Sequence, residues 1–238
     1  MTSLSVNINK LATIRNARGG NNPDLVYWAK KIQGLGAQGI TIHPRPDERH
    51  IRKQDVYDLK PHVTTEFNIE GYPNSEFIKL IQEIKPDQCT LVPDPPEVLT
   101  SNAGWNLETQ VEILKTVLPQ LTPHTRVSVF VEPETTNLET AEKLKSMGVL
   151  RAEIYTEEFA KHPQNQEVLS RYRKCADNLL EAGLELNAGH DLDLTNLGKL
   201  IDLIPEIKEV SIGHALICDS LEMGMSKTVA SYLSVLNP

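Results

Sequence analysis

The sequence predicts an α/β protein, a single (β/α)8 TIM barrel with its active site at the C-terminal ends of the strands. Two observations lead to this fold class. Short runs rich in β-branched and apolar residues recur about every 30 residues, and amphipathic segments lie between them. Strands that alternate with helices form a parallel sheet with right-handed crossovers, and about eight near-even units favour closure of that sheet into a barrel.

The predicted strands are short and spread along the whole chain. Each combines β-branched or apolar residues with turn-forming residues at its ends. In chain order they are LSVNI (4–8), GITIH (39–43), TEFNI (65–69), QCTLV (88–92), RVSVFV (126–131), RAEIY (151–155), LELNA (184–188) and EVSIG (209–213).

Helical patterns lie between several of these strands. Apolar residues at three- and four-residue spacing predict helices within 23–37, 75–87, 137–149 and 167–184. The second of these patterns stops at Pro86, and the last two stop at Gly148 and Gly183. Glycine readily adopts the left-handed conformation that ends many helices, so both glycines are predicted helix ends.

No stretch rich in Gly, Ser or Pro divides the chain, so we predict one domain over residues 1–238. A doubly wound open sheet has the same alternation, but no G-x-G-x-x-G fingerprint follows the first strand. Two segments are longer than a connection requires. We predict an active-site lid over 93–105 and a second functional loop over 156–166.

Composition excludes several functional classes. The net charge is -8 and no run is rich in Lys or Arg, so we expect no nucleic-acid partner. No apolar stretch approaches a membrane span and MTSLSVNINK contains no export segment, so we expect a cytoplasmic protein with no membrane partner. Cys89, Cys175 and Cys218 are odd in number and far apart, which predicts reduced core thiols rather than disulfides.

Polar and titratable residues cluster where the predicted strands end, the position of active sites in such barrels. They are Asn7, Asn9, His43, Arg45, Glu70, Thr100, Glu132, Glu153, His190, Gly213 and His214. A single histidine at a strand end is more often structural than catalytic. Three histidines and two glutamates on one face, however, supply the groups near neutral pKa that multistep proton transfer needs.

The sequence leaves the direction of Glu153 open, because this residue lies in the middle of a strand. A carboxyl that points into the barrel is unfavourable without a partner, so an inward Glu153 predicts a functional group. An outward Glu153 predicts a structural ion pair with the helices.

Two anion sites are predicted. Glycine-containing turns within 186–190 and 211–215 follow the last two strands, where backbone N–H groups often bind phosphate. Near the first two strands, the planar guanidinium groups suit a second anion. The candidate cations there are Arg15, Arg18, Arg45, Arg49 and His50.

Seven motifs in register carry a resemblance to a known family. They are VNINKLATIRNARG (6–19), GITIHPRPDERHI (39–51), FNIEG (67–71), LVP (91–93), AEI (152–154), NAGHDL (187–192) and IGHA (212–215). In these motifs the sequence resembles the pyridoxine 5'-phosphate synthase family, the ring-closing enzymes of vitamin B6 biosynthesis. The similarity extends essentially from end to end.

The resemblance implies a (β/α)8 barrel, commonly assembled into a homo-octamer. It implies condensation of 1-deoxy-D-xylulose 5-phosphate with 3-amino-2-oxopropyl phosphate to give pyridoxine 5'-phosphate, phosphate and water. The family uses no metal and no organic cofactor.

The same resemblance implies roles for individual residues. His43 and Glu70 would be general bases, Glu153 would stabilise charge in the intermediates, and His190 would be the proton donor. The deoxyxylulose phosphate would contact Asn9, Lys10, Arg45, His50 and Thr100. The aminoketone phosphate would contact Asn7, Arg18, Asp191, Gly213 and His214.

The sequence departs from the family pattern at two places. Asn9 and Lys10 stand where many members have Asp and His, so a carboxylate is lost while Lys10 still supplies positive charge. Asp191 stands where other members have Gly. A phosphate contact made by its backbone N–H would survive that change.

Three other functions fit parts of the pattern. A metal-dependent isomerase or hydrolase would use His43, Glu70, Glu153 and His190 as ligands. A barrel that binds a phosphorylated metabolite without turnover would explain the unusual Asn9 and Lys10. A Schiff-base aldolase is disfavoured, because the lysine close to a strand end, Lys10, follows the first strand and not the sixth.

Overall fold

A computed structural model of the chain describes residues 1–93 and 103–237 and contains the predicted closed barrel. Eight parallel strands pair in chain order, and the eighth pairs with the first. They are β1 Ser3–Asn7, β2 Gly39–Ile42, β3 Glu66–Gly71, β4 Gln88–Leu91, β5 Arg126–Val131, β6 Arg151–Tyr155, β7 Glu185–Gly189 and β8 Ile207–Ile212. Every predicted strand is confirmed, with ends that differ by about two residues at most.

Helices surround the barrel in the described part of the chain. They are α1 Asn9–Arg18, α2 Leu25–Gly34, α3 Lys53–Leu59, α4 Ser75–Ile84, α5 Val111–Leu121, α6 Leu138–Ser146, α7 Glu157–Lys161, α8 Gln166–Glu181, α9 Leu197–Leu203, α10 His214–Met223 and α11 Met225–Leu236, with a 3-10 turn at Pro133–Thr135. The four predicted helices correspond to α2, α4, α6 and α8. As predicted, Gly148 and Gly183 follow α6 and α8 with φ of 87° and 79°.

The segment 156–166, which is predicted as a second functional loop, contains helical structure. Residues 157–161 form α7, and Asn165 caps α8 by accepting hydrogen bonds from the N–H groups of Glu167 and Val168. The segment is long because it contains a short helix and a helix cap. Such a five-residue helix carries too few residues for an apolar period to be visible in the sequence.

The hydrophobic core lies between the strands and the helices, not inside the barrel. Apolar residues alternate with polar ones along the strands, and the apolar set faces the helices. Inside the barrel, the Asn68 amide donates to Thr41 at 3.3 Å and the Thr90 hydroxyl donates to Asn68 at 3.1 Å. Gln88 and Glu209 contact each other from opposite sides at 3.5 Å, which places both side chains in the interior.

An ionic network closes the N-terminal end of the barrel interior. Arg151 Nη1 donates to Glu66 Oε1 and to Gln88 Oε1, both at 2.9 Å, and its Nε donates to Glu185 Oε2 at 2.9 Å. The same guanidinium lies 3.8 Å from Glu209 Oε2. Buried charges are tolerated only where they are paired and hydrogen-bonded, so these residues depend on one another.

The connection that follows β4 contains two tightly packed residues, Gly104 and Trp105. Trp105 is fully buried, its backbone N–H donates to Phe130 O at 2.7 Å, and its indole Nε1 donates to Leu91 O at 2.9 Å. Trp105 therefore anchors the end of the predicted lid over 93–105. Residues 94–102 of that lid, including Thr100, lie outside the described residues.

The cysteine prediction is correct for two residues and wrong for one. Cys89 and Cys175 are buried free thiols, whereas Cys218 is an exposed free thiol. Leu216 and Ile217 occupy the buried face of α10, and the helical rotation turns Cys218 to solvent. Among the helices of the described residues, none is long and apolar enough to cross a membrane.

Replacement of Gly104 by Ala should destabilise the fold. A Cβ atom at this position would lie 2.2 Å from both Val131 C and Glu132 N, which are backbone atoms that cannot turn away. We expect the free energy of unfolding to fall by about 1–3 kcal/mol, measured by urea denaturation. Gly34→Ala is the matched control, because no atom lies within 4 Å of the new methyl group. Equal stabilities of the two variants would contradict this close approach.

Candidate active site

His43 and Glu70 form the centre of the site at the C-terminal end of the barrel. His43 follows β2 and is 7% exposed, and its Nδ1 lies 3.8 Å from Glu70 Oε2. Two amides hold this pair: Asn9 Oδ1 accepts from the His43 backbone N–H at 2.9 Å, and Asn7 Nδ2 donates to Glu70 Oε2 at 3.3 Å. The histidine and the carboxyl are thus placed by α1 and β1.

The environment makes His43 neutral at physiological pH. Burial lowers the pKa of His43 well below its usual value, and the neighbouring Arg45, His50 and Arg49 lower it further. A neutral imidazole retains a lone pair, so it can accept a proton.

Glu70 titrates near neutrality. Burial raises its pKa to about 7, the nearby Glu209 carboxyl raises it too, and a hydrogen bond from Ser211 and the charge of Arg45 oppose the increase. A carboxyl with this pKa exchanges protons readily at pH 7.

The structure answers the question left open for Glu153, which points into the barrel and is 3% exposed. Burial raises its pKa well above the usual range, the Glu70 charge adds to this effect, and a hydrogen bond from Thr90 opposes it. Its Oε2 has no hydrogen-bond partner among the described residues. The raised pKa favours the protonated form of the Glu153 carboxyl, and one of its oxygens is available to another group.

His190 projects from a turn with unusual backbone geometry. It follows β7 with φ of 90°, and Asp191 follows with φ of 54°. The imidazole Nδ1 lies 3.2 Å from Asp191 Oδ2, and the ring packs edge-on against Tyr155 with centroids 5.0 Å apart. The Asp191 carboxylate therefore faces His190, while the Asp191 backbone forms part of the turn.

Positive charge collects beside His43. Burial, followed by the charges of Arg45, Lys10 and Arg49, lowers the pKa of His50 to about 4. His50 Nδ1 accepts from the Ile51 N–H at 2.9 Å, which leaves Nε2 directed away from the backbone. A cavity of about 130 Å³ opens here, with His43 and Arg45 in its wall. Of the candidate cations predicted for the anion site near the first two strands, Arg45 lines this cavity.

Arg15 is not an anion ligand, contrary to the sequence-based interpretation. It is 2% exposed and forms a bidentate pair with Asp55 at 2.6 and 2.8 Å. Its Nη2 also donates to His50 O at 3.2 Å, and Asp55 Oδ2 accepts from the Arg52 N–H at 2.7 Å. The pair braces the segment that carries Arg45 and His50.

The turn after β8, which belongs to the anion site predicted at the last two strands, lies beside β1. Gly213 approaches Asn7 so closely that a Cβ atom would lie 3.0 Å from Asn7 Cβ. His214 begins α10, and its Nε2 lies 3.6 Å from Cys218 Sγ. Arg18 is exposed at the last position of α1, at the opposite end of that helix from Asn9.

Sequence reasoning missed several residues that shape the site. Ser211 hydrogen-bonds to Glu70 and Thr90 to Glu153, and the charge of Glu209 raises the pKa of Glu70. Tyr155 and Thr156 contact the His190 turn. A signal was present, because polar residues at every second strand position mark the inward face.

Within residues 1–93 and 103–237, no group of three or more His, Cys, Asp or Glu side chains has the arrangement of a metal site. The metal-dependent alternative thus has no ligand set in this part of the chain. The site instead combines a histidine of lowered pKa, a carboxyl of pKa about 7 and a second buried carboxyl of raised pKa.

Fold and site together define a (β/α)8 barrel with acid–base groups at the C-terminal ends of its strands. Comparisons with known proteins give its family. The model of the family described as pyridoxal phosphate biosynthesis protein PdxJ matches residues 4–238, and the chain belongs to this family.

Three relatives that match over their full length are all named pyridoxine 5'-phosphate synthase. The pyridoxine 5'-phosphate synthase of Cytophaga hutchinsonii is 55% identical, over 99% of each chain. That of Flavobacterium johnsoniae is 52% identical, over 99% of this chain and all of its own, and that of Phocaeicola vulgatus is 50% identical, over 99% of each.

Solved structures show the fold alone. The thiamine phosphate pyrophosphorylase of Pyrococcus furiosus superposes with a TM-score of 0.57 at 12% identity, covering 99% of this chain and 95% of its own. The Amycolatopsis orientalis BexX/CysO complex gives 0.64 at 13% identity, covering 99% and 90%.

Replacement of Glu209 by Gln should change the pH dependence of stability. Burial raises the pKa of Glu209 well above its usual value, so the folded state holds a proton that the unfolded state releases. This contribution to stability is present at low pH and is lost as pH rises towards the folded pKa. The free energy of unfolding should therefore fall less between about pH 5 and pH 8 in Glu209→Gln than in the unmodified protein.

The measurement is urea denaturation across this pH range. Glu112→Gln is the control, since Glu112 is an exposed glutamate on α5. If Glu209→Gln and the unmodified protein lose stability in parallel, folding does not raise the pKa of Glu209.

Proposed function

We propose that the protein condenses 1-deoxy-D-xylulose 5-phosphate with 3-amino-2-oxopropyl phosphate to form pyridoxine 5'-phosphate, phosphate and water, a ring-closing step of vitamin B6 biosynthesis. The observation that carries this proposal is the pairing of neutral His43 with a carboxyl of pKa about 7, in a chain related along its whole length to proteins named for this activity.

The reaction needs several proton transfers. The amine of one substrate attacks the ketone of the other, water and phosphate leave, and a carbon–carbon bond closes the ring. His43 and Glu70 act as bases, because each can be unprotonated at pH 7. Protonated Glu153 donates a hydrogen bond to developing negative charge, and His190 delivers a proton from the other side of the mouth.

Two phosphate subsites hold the reacting ends together. The deoxyxylulose phosphate binds Asn9, Lys10, Arg45, His50 and Thr100, and the aminoketone phosphate binds Asn7, Arg18, Asp191, Gly213 and His214. The positive charges that lower the pKa of His50 support the first subsite. Held in place, both substrates react without the entropy cost of an encounter.

We also propose a lid over the site, catalysis without a cofactor and a location in the cytoplasm. The segment 93–105 acts as a lid over the mouth, and Trp105 is its anchor. The enzyme uses no metal and no organic cofactor. The buried free thiols Cys89 and Cys175 suit the reducing cytoplasm, and the negative net charge disfavours a nucleic-acid partner.

We also propose a homo-octamer. Ile14, Tyr27 and Leu221 are large apolar side chains with exposures of 47%, 56% and 78%, which fits surfaces covered by neighbouring subunits. Light scattering of the purified protein tests this point: a mass near eight chains supports it, and a monomer contradicts it.

The decisive assay mixes the purified protein with both substrates, with and without a chelator, and follows the absorbance and fluorescence of pyridoxine 5'-phosphate. Product that is insensitive to chelator supports the synthase. Substrate binding without product favours the non-catalytic barrel suggested by Asn9 and Lys10. Activity lost only with chelator favours a metal-dependent enzyme.

Replacement of His43 by Ala or of Glu70 by Gln should abolish ring formation, because each removes a proton acceptor while keeping the fold. We expect turnover to fall by about 100-fold or more. His162→Ala is the control, since His162 is exposed after α7. In the unmodified enzyme, turnover should rise with pH through about 7 as Glu70 ionises. Near-normal turnover in either variant would overturn the assigned roles.

Replacement of Arg45 by Ala should weaken binding of the deoxyxylulose phosphate. The expected change is a rise of about tenfold or more in KM for that substrate, with a smaller change for the aminoketone phosphate. Steady-state kinetics with each substrate varied in turn measures both. An unchanged KM for the deoxyxylulose phosphate would refute the contact.

A further inference from the structure

The turn that carries His190 has a backbone conformation that needs external support. His190 and Asp191 are consecutive non-glycine residues with φ of 90° and 54°. L-residues adopt this left-handed region rarely, and such strain persists only where surrounding contacts enforce it. Something outside the turn must therefore hold it.

Thr156 supplies that support. Its side chain is fully buried where β6 ends, and its hydroxyl lies 2.7 Å from Gly189 O and 2.5 Å from His190 O. The single hydroxyl proton is shared between the two carbonyls. The Thr156 backbone N–H also donates to Gly189 O at 3.2 Å. These contacts reach both peptide groups that flank the His190 Cα, so they restrain its φ and its ψ together.

Two further contacts complete the arrangement. The Tyr155 ring packs against the His190 imidazole, and the Tyr155 hydroxyl is itself fixed by donating to Glu157 Oε2 at 2.5 Å. Asn196 Nδ2 donates to Asp191 O at 3.0 Å and holds the next peptide. Thr156 is the member of this set that bonds directly to the backbone of His190.

We propose that Thr156 is a positioning residue, whose hydroxyl holds the 189–191 turn so that the imidazole of His190 points at the reacting atoms. This inference rests on the proposed role of His190 as proton donor. Without the hydroxyl, His190 O loses this buried donor, Gly189 O keeps the Thr156 N–H, and the turn relaxes towards ordinary φ values. The imidazole then leaves its working position, and a shift of about 1 Å is enough to slow a proton transfer severely.

The test compares two variants at this position. Thr156→Val keeps the shape of the side chain and removes the hydroxyl, and Thr156→Ser keeps the hydroxyl. We expect Thr156→Val to lower kcat by about tenfold or more with KM for both substrates within about threefold, and Thr156→Ser to stay within about threefold in kcat.

A second pair of variants shows whether the effect acts through His190. In a His190→Asn background, Thr156→Val should cause no further loss of kcat, because the group it positions is gone. Thr2→Val is the matched control: the buried Thr2 hydroxyl donates to Ile207 O at 2.8 Å, at the opposite end of the barrel. It should lower stability without lowering kcat.

Three outcomes would overturn the proposal: unchanged kcat in Thr156→Val, an equal loss in Thr156→Ser, or a full further loss in the His190→Asn background. An unmodified protein that makes no product refutes the proposed function instead. In that case crystal structures of Thr156→Val and Thr156→Ser test the positioning directly. A displaced His190 in the valine variant alone supports it, and an unmoved His190 contradicts it.

Discussion

The guanidinium of Arg151 crosses the interior of the barrel, and the rest of the structure is arranged around that charge. It bonds to Glu66 and Gln88 on the far strands and lies near Glu209. A barrel of this kind usually fills its interior with branched apolar side chains. In this barrel the polar side chains lie inside, and the apolar side chains pack between the strands and the helices. The interior is stable because its buried polar groups largely satisfy one another.

This polar interior determines the chemistry of the mouth. Glu209 lies near Arg151, whose charge opposes the rise in the pKa of Glu209. The charge of Glu209 raises the pKa of Glu70, and the charge of Glu70 raises the pKa of Glu153. Three buried carboxyls so close together cannot all ionise, so their pKa values rise. Arginines and His50 surround His43 and lower its pKa. These connected charges raise the pKa values of the carboxyls and lower the pKa of the neighbouring His43. Such opposite shifts are the condition for having both acids and bases at pH 7.

Backbone placement is the second constraint at the mouth. The Gly104–Trp105 pair fixes the end of the β4 connection, the Arg15–Asp55 pair braces the segment that carries Arg45 and His50, and Thr156 holds the turn of His190. Each device uses buried hydrogen bonds to backbone groups that regular secondary structure leaves unpaired. The reactive side chains therefore stand on loops that are as constrained as the strands beneath them.

The sequence by itself determined the eight strands and the ends at which His43, Glu70 and His190 lie, because strand alternation and glycine-terminated helices are local patterns. Motif order also identified the family. Only the tertiary structure decided that Glu153 points inward, that Arg15 is a brace, that Cys218 is exposed, and that 156–166 contains a helix. These outcomes depend on which residues meet across the barrel or around a helix, and no local pattern encodes such contacts between residues far apart in the chain.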